Sequence, residues 1–346
     1  MADVSRDDLR AAVAAGHLSA AQAASVLALA RARAGVRLPE DEPFELFRGF
    51  AEIFVAVGLA ILFAGGFGLA ALLGPPVPLL MICAAAWGLA RYYTLRRRMI
   101  LPSIVLVLVY AAALGGTAVW LALRVLGTGA PALAIAALTA AGLVLWFRAF
   151  RLPFTMFLIG LTGLWGTLAT ANALGRGADI DSLSAMFDLL SGSGVALGTL
   201  LFGLVALAAA LWFDMRDPHR LGRMSASGFW LHLLAAPALV NTVALTFWNM
   251  GPGLGYALLA LALALIAGFA LVIDRRSFLT AGIGYLIFLV AWVSGGLSDP
   301  RSWATVFLAS GLGLTLLGTF WTDLRARLLR ALPDFPGKRR LPPYAE

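Results

Sequence analysis

Apolar runs of about 20 residues recur along most of this 346-residue chain, and they constrain its fold more than any other feature. A helix of that length crosses the roughly 30 Å hydrocarbon core of a bilayer, because each residue adds about 1.5 Å. Hydrophobic residues make up 61% of the chain and charged residues 13%, whereas soluble domains carry about twice that charge. The sequence therefore predicts an all-α fold, a polytopic membrane helix bundle.

Polar, glycine-containing and proline-containing breaks divide residues 49–322 into about ten predicted transmembrane helices. Their predicted limits are 50–73, 77–94, 100–123, 129–149, 153–174, 194–213, 227–249, 252–273, 278–297 and 302–322. A short helix is also expected within the longest loop, at 182–190.

Lys and Arg fall almost entirely on one side of these predicted spans. Of the 26 basic residues, 23 lie in the termini and in alternate loops, and the other side holds only Arg124, Arg176 and Arg301. Loops on the cytoplasmic side of a membrane carry the excess of Lys and Arg. Both termini are therefore predicted to be cytoplasmic, which requires an even number of spans.

The formal net charge of +8 is thus explained by membrane topology, and nucleic acid is not an expected partner. The expected partners of the basic residues are anionic lipid headgroups at the cytoplasmic face. The basic tail, 323–346, begins with a predicted interfacial helix, in which Leu324, Leu328 and Leu332 share one face opposite arginines.

Residues 1–36 are predicted to form a short cytoplasmic helical hairpin, joined to the bundle by a polar linker at 37–48. Gly16 marks the turn. Ser19 and Gln22 have the spacing of a capping box, which starts the second helix. The hairpin either lies on the membrane and loops or docks a protein partner.

The predicted seventh span contains the most notable polar residues within an apolar run. His232 is either a hydrogen-bond donor to a neighbouring helix or a group that titrates near physiological pH. Nine residues later Asn241 lies on the opposite helix face, where it follows Pro237 in a stripe of packing residues. That stripe predicts either a seam with an interhelical hydrogen bond or, if Pro237 breaks the helix, the wall of a substrate cavity.

Two further candidate residues lie in other predicted spans. Glu52 is near the cytoplasmic edge of the first span, where Arg48 lies one turn earlier. The pair predicts an interfacial anchor, with a proton carrier as the alternative. Asn172, in the fifth span, has the same two interpretations as Asn241.

Motifs that would indicate chemistry are not found in the sequence. Cys83 is the only cysteine, so neither an internal disulfide nor a cysteine-based metal site is expected. No metalloprotease, nucleophile-elbow or phosphate-binding loop pattern occurs. The sequence therefore predicts no catalytic residues, no cofactor and no metal.

The hairpin sequence resembles the start of a family of bacterial membrane proteins called domain of unknown function 2157. The similar residues are Leu9, Val13, Gly16-His17-Leu18-Ser19 and Gln22-Ala23. In that family a helix that ends in glycine and a Leu-Ile-Ser-like turn precede a string of spans, although this chain has His17 in the turn and lacks a tryptophan in the first helix. The resemblance implies a bacterial inner-membrane protein and no particular activity.

Two functions remain from the sequence. The favoured one is a non-catalytic structural or regulatory membrane protein that binds partners through its hairpin and basic tail. The alternative is a transporter of a neutral or lipidic solute, because ten spans with both termini inside is also the layout of five-plus-five carriers such as the drug/metabolite transporters.

Overall fold

A computed structural model describes residues 6–33, 49–125, 131–175, 186–220, 223–293 and 300–344. Within these ranges the chain is helical and no strand occurs. The α-helices are α1 (Arg6–Ala14), α2 (Ala20–Arg33), α3 (Phe50–Leu73), α4 (Val77–Ala90), α5 (Ile100–Val125), α6 (Pro131–Phe150), α7 (Phe154–Ala173), α8 (Gly194–Asp214), α9 (Met224–Asn249), α10 (Leu254–Ile273), α11 (Ser277–Val293), α12 (Pro300–Thr319) and α13 (Trp321–Ala331).

Each of the ten predicted spans overlaps one helix from α3 to α12. Seven of the described helices are long and apolar enough to cross a membrane: α3, α5, α6, α7, α8, α9 and α10. Helix α4 has only 14 residues and continues as a π-helix, Arg91–Arg96. Helix α13 bends 71° away from α12, and the count of candidate spans becomes eight if that pair is one span.

The helices form two compact units. One unit is Pro43–Asp181 and contains α3 to α7; the other combines Met1–Glu42 with Ser182–Glu346 and contains α1 and α2 as well as α8 to α13. We call them the α3–α7 unit and the α8–α13 unit.

Helix α5 is the centre of the α3–α7 unit, where it packs against α3, α4, α6 and α7. An aromatic cluster fills the space between α4, α5 and α6. Trp146 is 0% exposed, and its ring centroid lies 4.6 Å from that of Tyr110 and 4.5 Å from that of Phe150. Tryptophans near span ends commonly lie at the membrane interface, but Trp146, although near the end of a predicted span, is buried among aromatic rings.

Helix α9 is the centre of the α8–α13 unit and packs against α8, α10 and α11. Helices α8 and α9 approach closely because two glycines leave room. A Cβ atom at Gly203 would lie 2.8 Å from the Leu239 side chain of α9. A Cβ atom at Gly228 would lie 2.4 Å from Oδ1 of Asp214. The space left at Gly228 is occupied by the Asp214 carboxylate, which lies between α8 and α9.

The N-terminal hairpin has its predicted cap. The backbone N–H of Ser19 donates to Oε1 of Gln22 at 2.8 Å, and the N–H of Gln22 donates to Oγ of Ser19 at 3.1 Å. Leu9 and Ala23 are buried between α1 and α2. The capping box is therefore confirmed. The linker at 37–48 lies outside the described residues, as do residues 182–185 of the short helix expected at 182–190. The described end of that segment runs into a 3-10 helix, Leu189–Ser191.

Candidate functional site

A buried ionic group lies where α8 ends and α9 begins. Nε2 of His232 is 2.8 Å from Oδ2 of Asp214. Arg275 binds the same carboxylate with two nitrogens, Nε at 3.1 Å from Oδ2 and Nη2 at 2.5 Å from Oδ1. The exposed fractions of Asp214, His232 and Arg275 are 8%, 0% and 1%. We call these three residues the Asp214 cluster.

The surroundings of the Asp214 cluster hold it in place. Nη2 of Arg275 also donates to the backbone carbonyl of Ser225 at 3.0 Å, in the first turn of α9. The ring of Phe278, itself 2% exposed, meets the His232 ring edge-on with centroids 5.9 Å apart. The missing side chain at Gly228 gives the carboxylate its space.

A second ionic group surrounds Asp274, the residue that follows α10. Its carboxylate is 3.0 Å from Nη1 of Arg220 and accepts a 2.7 Å hydrogen bond from Nε1 of Trp321. Arg220 also donates to the Asp274 backbone carbonyl at 2.7 Å. Asp274 has φ of 58°, a left-handed conformation that aspartate tolerates better than most residues. We call Asp274, Arg220, Trp321 and Arg325 the Asp274 cluster.

Arg325 connects the Asp274 cluster to the C-terminal tail. Its Nη2 and Nη1 donate to the backbone carbonyls of Pro342 and Pro343 at 2.6 and 3.0 Å. Its Nε donates to the carbonyl of Leu271 in α10 at 3.1 Å, and lies 3.9 Å from the Asp274 carboxylate. The residue is 4% exposed. One buried guanidinium thus fastens the tail to the end of α10.

Each cluster pairs an aspartate at one helix end with an arginine that follows the other helix. Asp214 ends α8 and is paired with Arg275, which follows α10; Asp274 follows α10 and is paired with Arg220, which follows α8. A carboxylate at the C-terminal end of a helix faces the negative end of the helix dipole. Each arginine offsets that repulsion while it joins two helix ends.

The Asp214 cluster has the geometry of a buried ion pair. A His–Asp pair acts as a general base when a substrate hydroxyl or a water reaches the imidazole. Here the imidazole is fully buried, and Arg275 occupies both carboxylate oxygens. In the part of the chain that the structure describes, no group of three His, Cys, Asp or Glu residues is placed to hold a metal ion.

The structure brings one of the sequence-predicted site residues, His232, into this region, where it bonds to α8 as its first interpretation expected. Helix α9 continues unbroken through Pro237, which is half-buried. Asn241 is also half-buried, and the described residues give its side chain no hydrogen bond.

Glu52 lies in the α3–α7 unit and caps a neighbouring helix. Its Oε2 accepts hydrogen bonds from the backbone N–H groups of Ile100 and Leu101, at 3.0 and 3.2 Å. These N–H groups belong to the first turn of α5 and have no acceptor within their own helix, and the helix dipole there favours a negative charge. Glu52 is 6% exposed. Arg48, its predicted partner, lies outside the described residues.

Asn172 lies in the last turn of α7, in the other unit from His232 and Asn241, and its side chain is exposed.

Sequence reasoning did not select a third aspartate, Asp188. It is 8% exposed and accepts from Nδ2 of Asn249 at 2.8 Å. The next N–H, of Leu189, donates to Oγ1 of Thr246 at 3.0 Å, so this loop is tied to the end of α9.

The members of the two clusters other than His232 were also not selected from the sequence. The available signal was positional, because Asp214 and Asp274 each close an apolar run and precede arginines. Comparison with models of protein families, with curated proteins and with solved structures finds no match for this chain. The resemblance of the hairpin to the domain of unknown function 2157 stays a prediction.

Proposed function

We propose that this chain is a non-catalytic membrane protein of about ten spans that presents its hairpin and basic tail to partners in the cytoplasm. The observation that carries the proposal is that the buried ionic groups bind one another or the backbone and are shielded from solvent. Asp214, His232 and Arg275 bind one another away from solvent, and Arg325 is occupied by the tail. Such groups join helix ends, and the polar atoms of these side chains are taken up by one another or by the backbone.

The proposed topology agrees with the direction of the helices in the α8–α13 unit. Spans alternate in direction, so α8 and α10 both end on the side that carries 23 of the 26 basic residues. The ion pairs Asp214–Arg275 and Asp274–Arg220 join those two ends to each other. Both clusters would then lie at the cytoplasmic end of the bundle, beside the tail.

The surface of the tail favours anionic lipid headgroups as its partner. Helix α13 buries Trp321, Arg325, Ala326 and Leu329. Leu324 and Leu328, on the face that the sequence predicted to be apolar, are half-buried. Four arginines remain exposed: Arg327, Arg330, Arg339 and Arg340. Each is expected to contribute about 1 kcal/mol near an anionic surface.

Labelling of a single cysteine tests the topology. Cys83→Ser provides a background without native thiols, and Asp181→Cys introduces one in the loop between α7 and α8. A membrane-impermeant maleimide should label Asp181→Cys in intact cells, whereas Ala331→Cys should react only after the membrane is opened. Labelling of Ala331→Cys from outside contradicts the proposed orientation.

The lipid partner is tested with the whole protein in nanodiscs. A spin label at Ala331→Cys, in the Cys83→Ser background, should be less mobile in discs with phosphatidylglycerol than in discs with phosphatidylcholine. Replacing the four exposed arginines by glutamine should remove that difference. Lys338→Gln is a matched control, because Lys338 donates to the Leu332 carbonyl at 2.7 Å. Equal mobility in both lipids overturns the lipid assignment.

The competing function is the five-plus-five transporter, and the packing of the helices weighs against it. In the α3–α7 unit the third helix, α5, contacts the other four. In the α8–α13 unit the second helix, α9, has the central place. Repeats would give equivalent helices equivalent neighbours. A substrate-dependent flux into vesicles that contain the purified protein would support the transporter function instead.

A further inference from the structure

Charged residues occupy left-handed backbone positions in four turns of this chain, all on the predicted side that is rich in Lys and Arg. Among the described residues, the ones other than glycine with a positive φ are Arg98, Arg151, Arg220 and Asp274. They lie in the turns α4–α5, α6–α7, α8–α9 and α10–α11. The turns of the other predicted side have glycine in this role, at Gly74, Gly175, Gly192, Gly251 and Gly253. Because the left-handed region favours glycine, an arginine there reduces stability unless its side chain makes a compensating contact.

Arg220 and Arg151 differ in the contact that their side chains make. The guanidinium of Arg220, with φ of 52°, pairs with Asp274 at 3.0 Å. Arg151 has nearly the same conformation, with φ of 49°, but its side chain is exposed and forms no hydrogen bond or ion pair with any described residue. The contact that would explain Arg151 is therefore with an anion.

Arg151 belongs to a basic surface at one end of the α3–α7 unit. Helix α4 continues as the π-helix Arg91–Arg96, which packs against α6. One turn before Arg91, the ring of Trp87 lies 5.0 Å from the ring of Phe150, the residue before Arg151 (centroid to centroid). The α4–α5 and α6–α7 turns are thus neighbours. Together they expose six arginines, which we call the arginine patch: Arg91, Arg96, Arg97, Arg98, Arg148 and Arg151.

The arginine patch has no exposed carboxylate beside it in the described part of its unit. Glu52 is the one acid within residues 49–125 and 131–175, and it is buried, where it accepts hydrogen bonds from two N–H groups of α5. Guanidinium groups bind phosphate oxygens with parallel, charge-assisted hydrogen bonds. Two adjacent turns, each with several guanidinium groups, therefore favour a ligand with two phosphates.

The position of these arginines along their helices favours a lipid as that ligand. Arg91 directly follows the apolar run of α4, and Arg148 lies in the last turn of α6. Arginines at the ends of apolar spans lie at the level of the lipid headgroups. Leu145, one turn deeper in α6 than Arg148, is 57% exposed and offers an apolar surface to an acyl chain. Basic sites of this kind between helices bind lipids with several phosphates.

We propose that the arginine patch binds an anionic lipid with two phosphodiester groups, the chemistry of cardiolipin. One phosphate pairs with arginines of the α4–α5 turn and the other with Arg148 and Arg151, while an acyl chain lies along α6 past Leu145. The inference deepens the proposed function by adding a second lipid-binding surface to that of the tail. It rests on the proposed function only for insertion of the α3–α7 helices into a membrane.

Native mass spectrometry of the full chain in detergent tests the proposal, with cardiolipin as the probe. The wild type should retain one cardiolipin, and phosphatidylglycerol at twice the molar amount, which matches the phosphate, should not displace it. Arg148→Gln should raise the Kd about ten-fold, the effect of one charge-assisted contact. Arg124→Gln is the matched control and should leave the Kd unchanged, because Arg124 is an exposed arginine in the last turn of α5, at the opposite end of the unit.

Replacement of arginine by glycine separates binding from stability. Arg151→Gly suits the left-handed turn and removes the guanidinium, so it should raise the Kd about ten-fold while the melting temperature stays equal or rises. Arg220→Gly is the control with the same backbone conformation. It loses the pair with Asp274, so it should lower the melting temperature and leave the Kd unchanged.

Three results would overturn the proposal. The first is an unchanged Kd for Arg151→Gly or Arg148→Gln, and the second is equal binding of phosphatidylglycerol at matched phosphate. The third is displacement of cardiolipin by a soluble polyglutamate peptide, which would make the partner an acidic protein segment. The variant with glutamine at the four exposed tail arginines should keep the wild-type Kd, so failure of the tail assignment and failure of this one are separate results.

Discussion

Arg275 donates hydrogen bonds from Nε and Nη2 to the carboxylate of Asp214, although the two residues are 61 positions apart in the sequence. The geometry is bidentate, the strongest form of arginine–carboxylate pairing. Both residues are more than nine-tenths buried. The pair therefore ties the loop after α10 to the end of α8, and its loss leaves a buried charge behind.

Arg275→Ala should destabilise the protein by about 3–5 kcal/mol, because it leaves the Asp214 carboxylate buried without its principal counter-charge. Arg275→Lys should recover part of the loss, since it restores the charge but not the fork. The measurement is helix content during titration with sodium dodecyl sulfate. Arg276→Ala is the matched control: its guanidinium lies over the Trp321 ring, 5.4 Å from the centroid, and outside the Asp214 cluster. Equal losses for Arg275→Ala and Arg276→Ala would contradict the structure.

Gly228→Ala should also destabilise the protein, by about 1–3 kcal/mol, through overpacking. The new Cβ atom would lie 2.4 Å from Oδ1 of Asp214 and 3.1 Å from the Ala210 carbonyl. Gly58→Ala is the control, because a Cβ atom at Gly58 meets nothing within 4 Å and alanine favours the helix. Detergent-resistant helix content measures both variants. A neutral Gly228→Ala would show that the two helices are further apart than described.

Removal of residues 341–346 should destabilise the α8–α13 unit by about 1–3 kcal/mol, since Nη1 and Nη2 of the buried Arg325 guanidinium lose their acceptors. Arg325→Ala should cost a similar amount, and the double variant should lose less than the sum of the two. Arg327→Ala, on the exposed face of the same helix, should change stability by less than about 0.5 kcal/mol. Strict additivity of truncation and Arg325→Ala would rule out the contact.

The helices of the bundle were predictable because the property that defines them is local. The length of an apolar run can be read directly from the sequence, and the predicted span 227–249 ends where α9, Met224–Asn249, ends. The capping box of Ser19 and Gln22 was predictable for the same reason, since its bonds join residues three apart.

The ionic clusters were not predictable, because each depends on which helix ends meet in space. Asp214 has Arg216 two residues away, yet its partner is Arg275. Glu52 was paired with Arg48 on the same principle of proximity in sequence, and that principle did not reveal that its carboxylate caps α5, 48 residues away. Trp146 lies near a helix end, but the neighbours that bury it come from α4 and α5. Position along a span does not reveal neighbours from other spans.

Glu52 offers a last test that separates charge from hydrogen bonding at a helix start. Glu52→Ala should destabilise the protein by about 0.5–2 kcal/mol, because the N–H groups of Ile100 and Leu101 lose their acceptor in a site that is 6% exposed. Glu52→Gln keeps an acceptor oxygen and loses only the favourable interaction of the charge with the α5 dipole, so its effect should be smaller than that of Glu52→Ala. Thermal unfolding in detergent measures both. If Glu52 carried protons instead, Glu52→Gln would abolish a pH-driven activity without affecting the melting temperature. A loss of stability graded from Glu52→Gln to Glu52→Ala identifies the carboxylate as a helix cap.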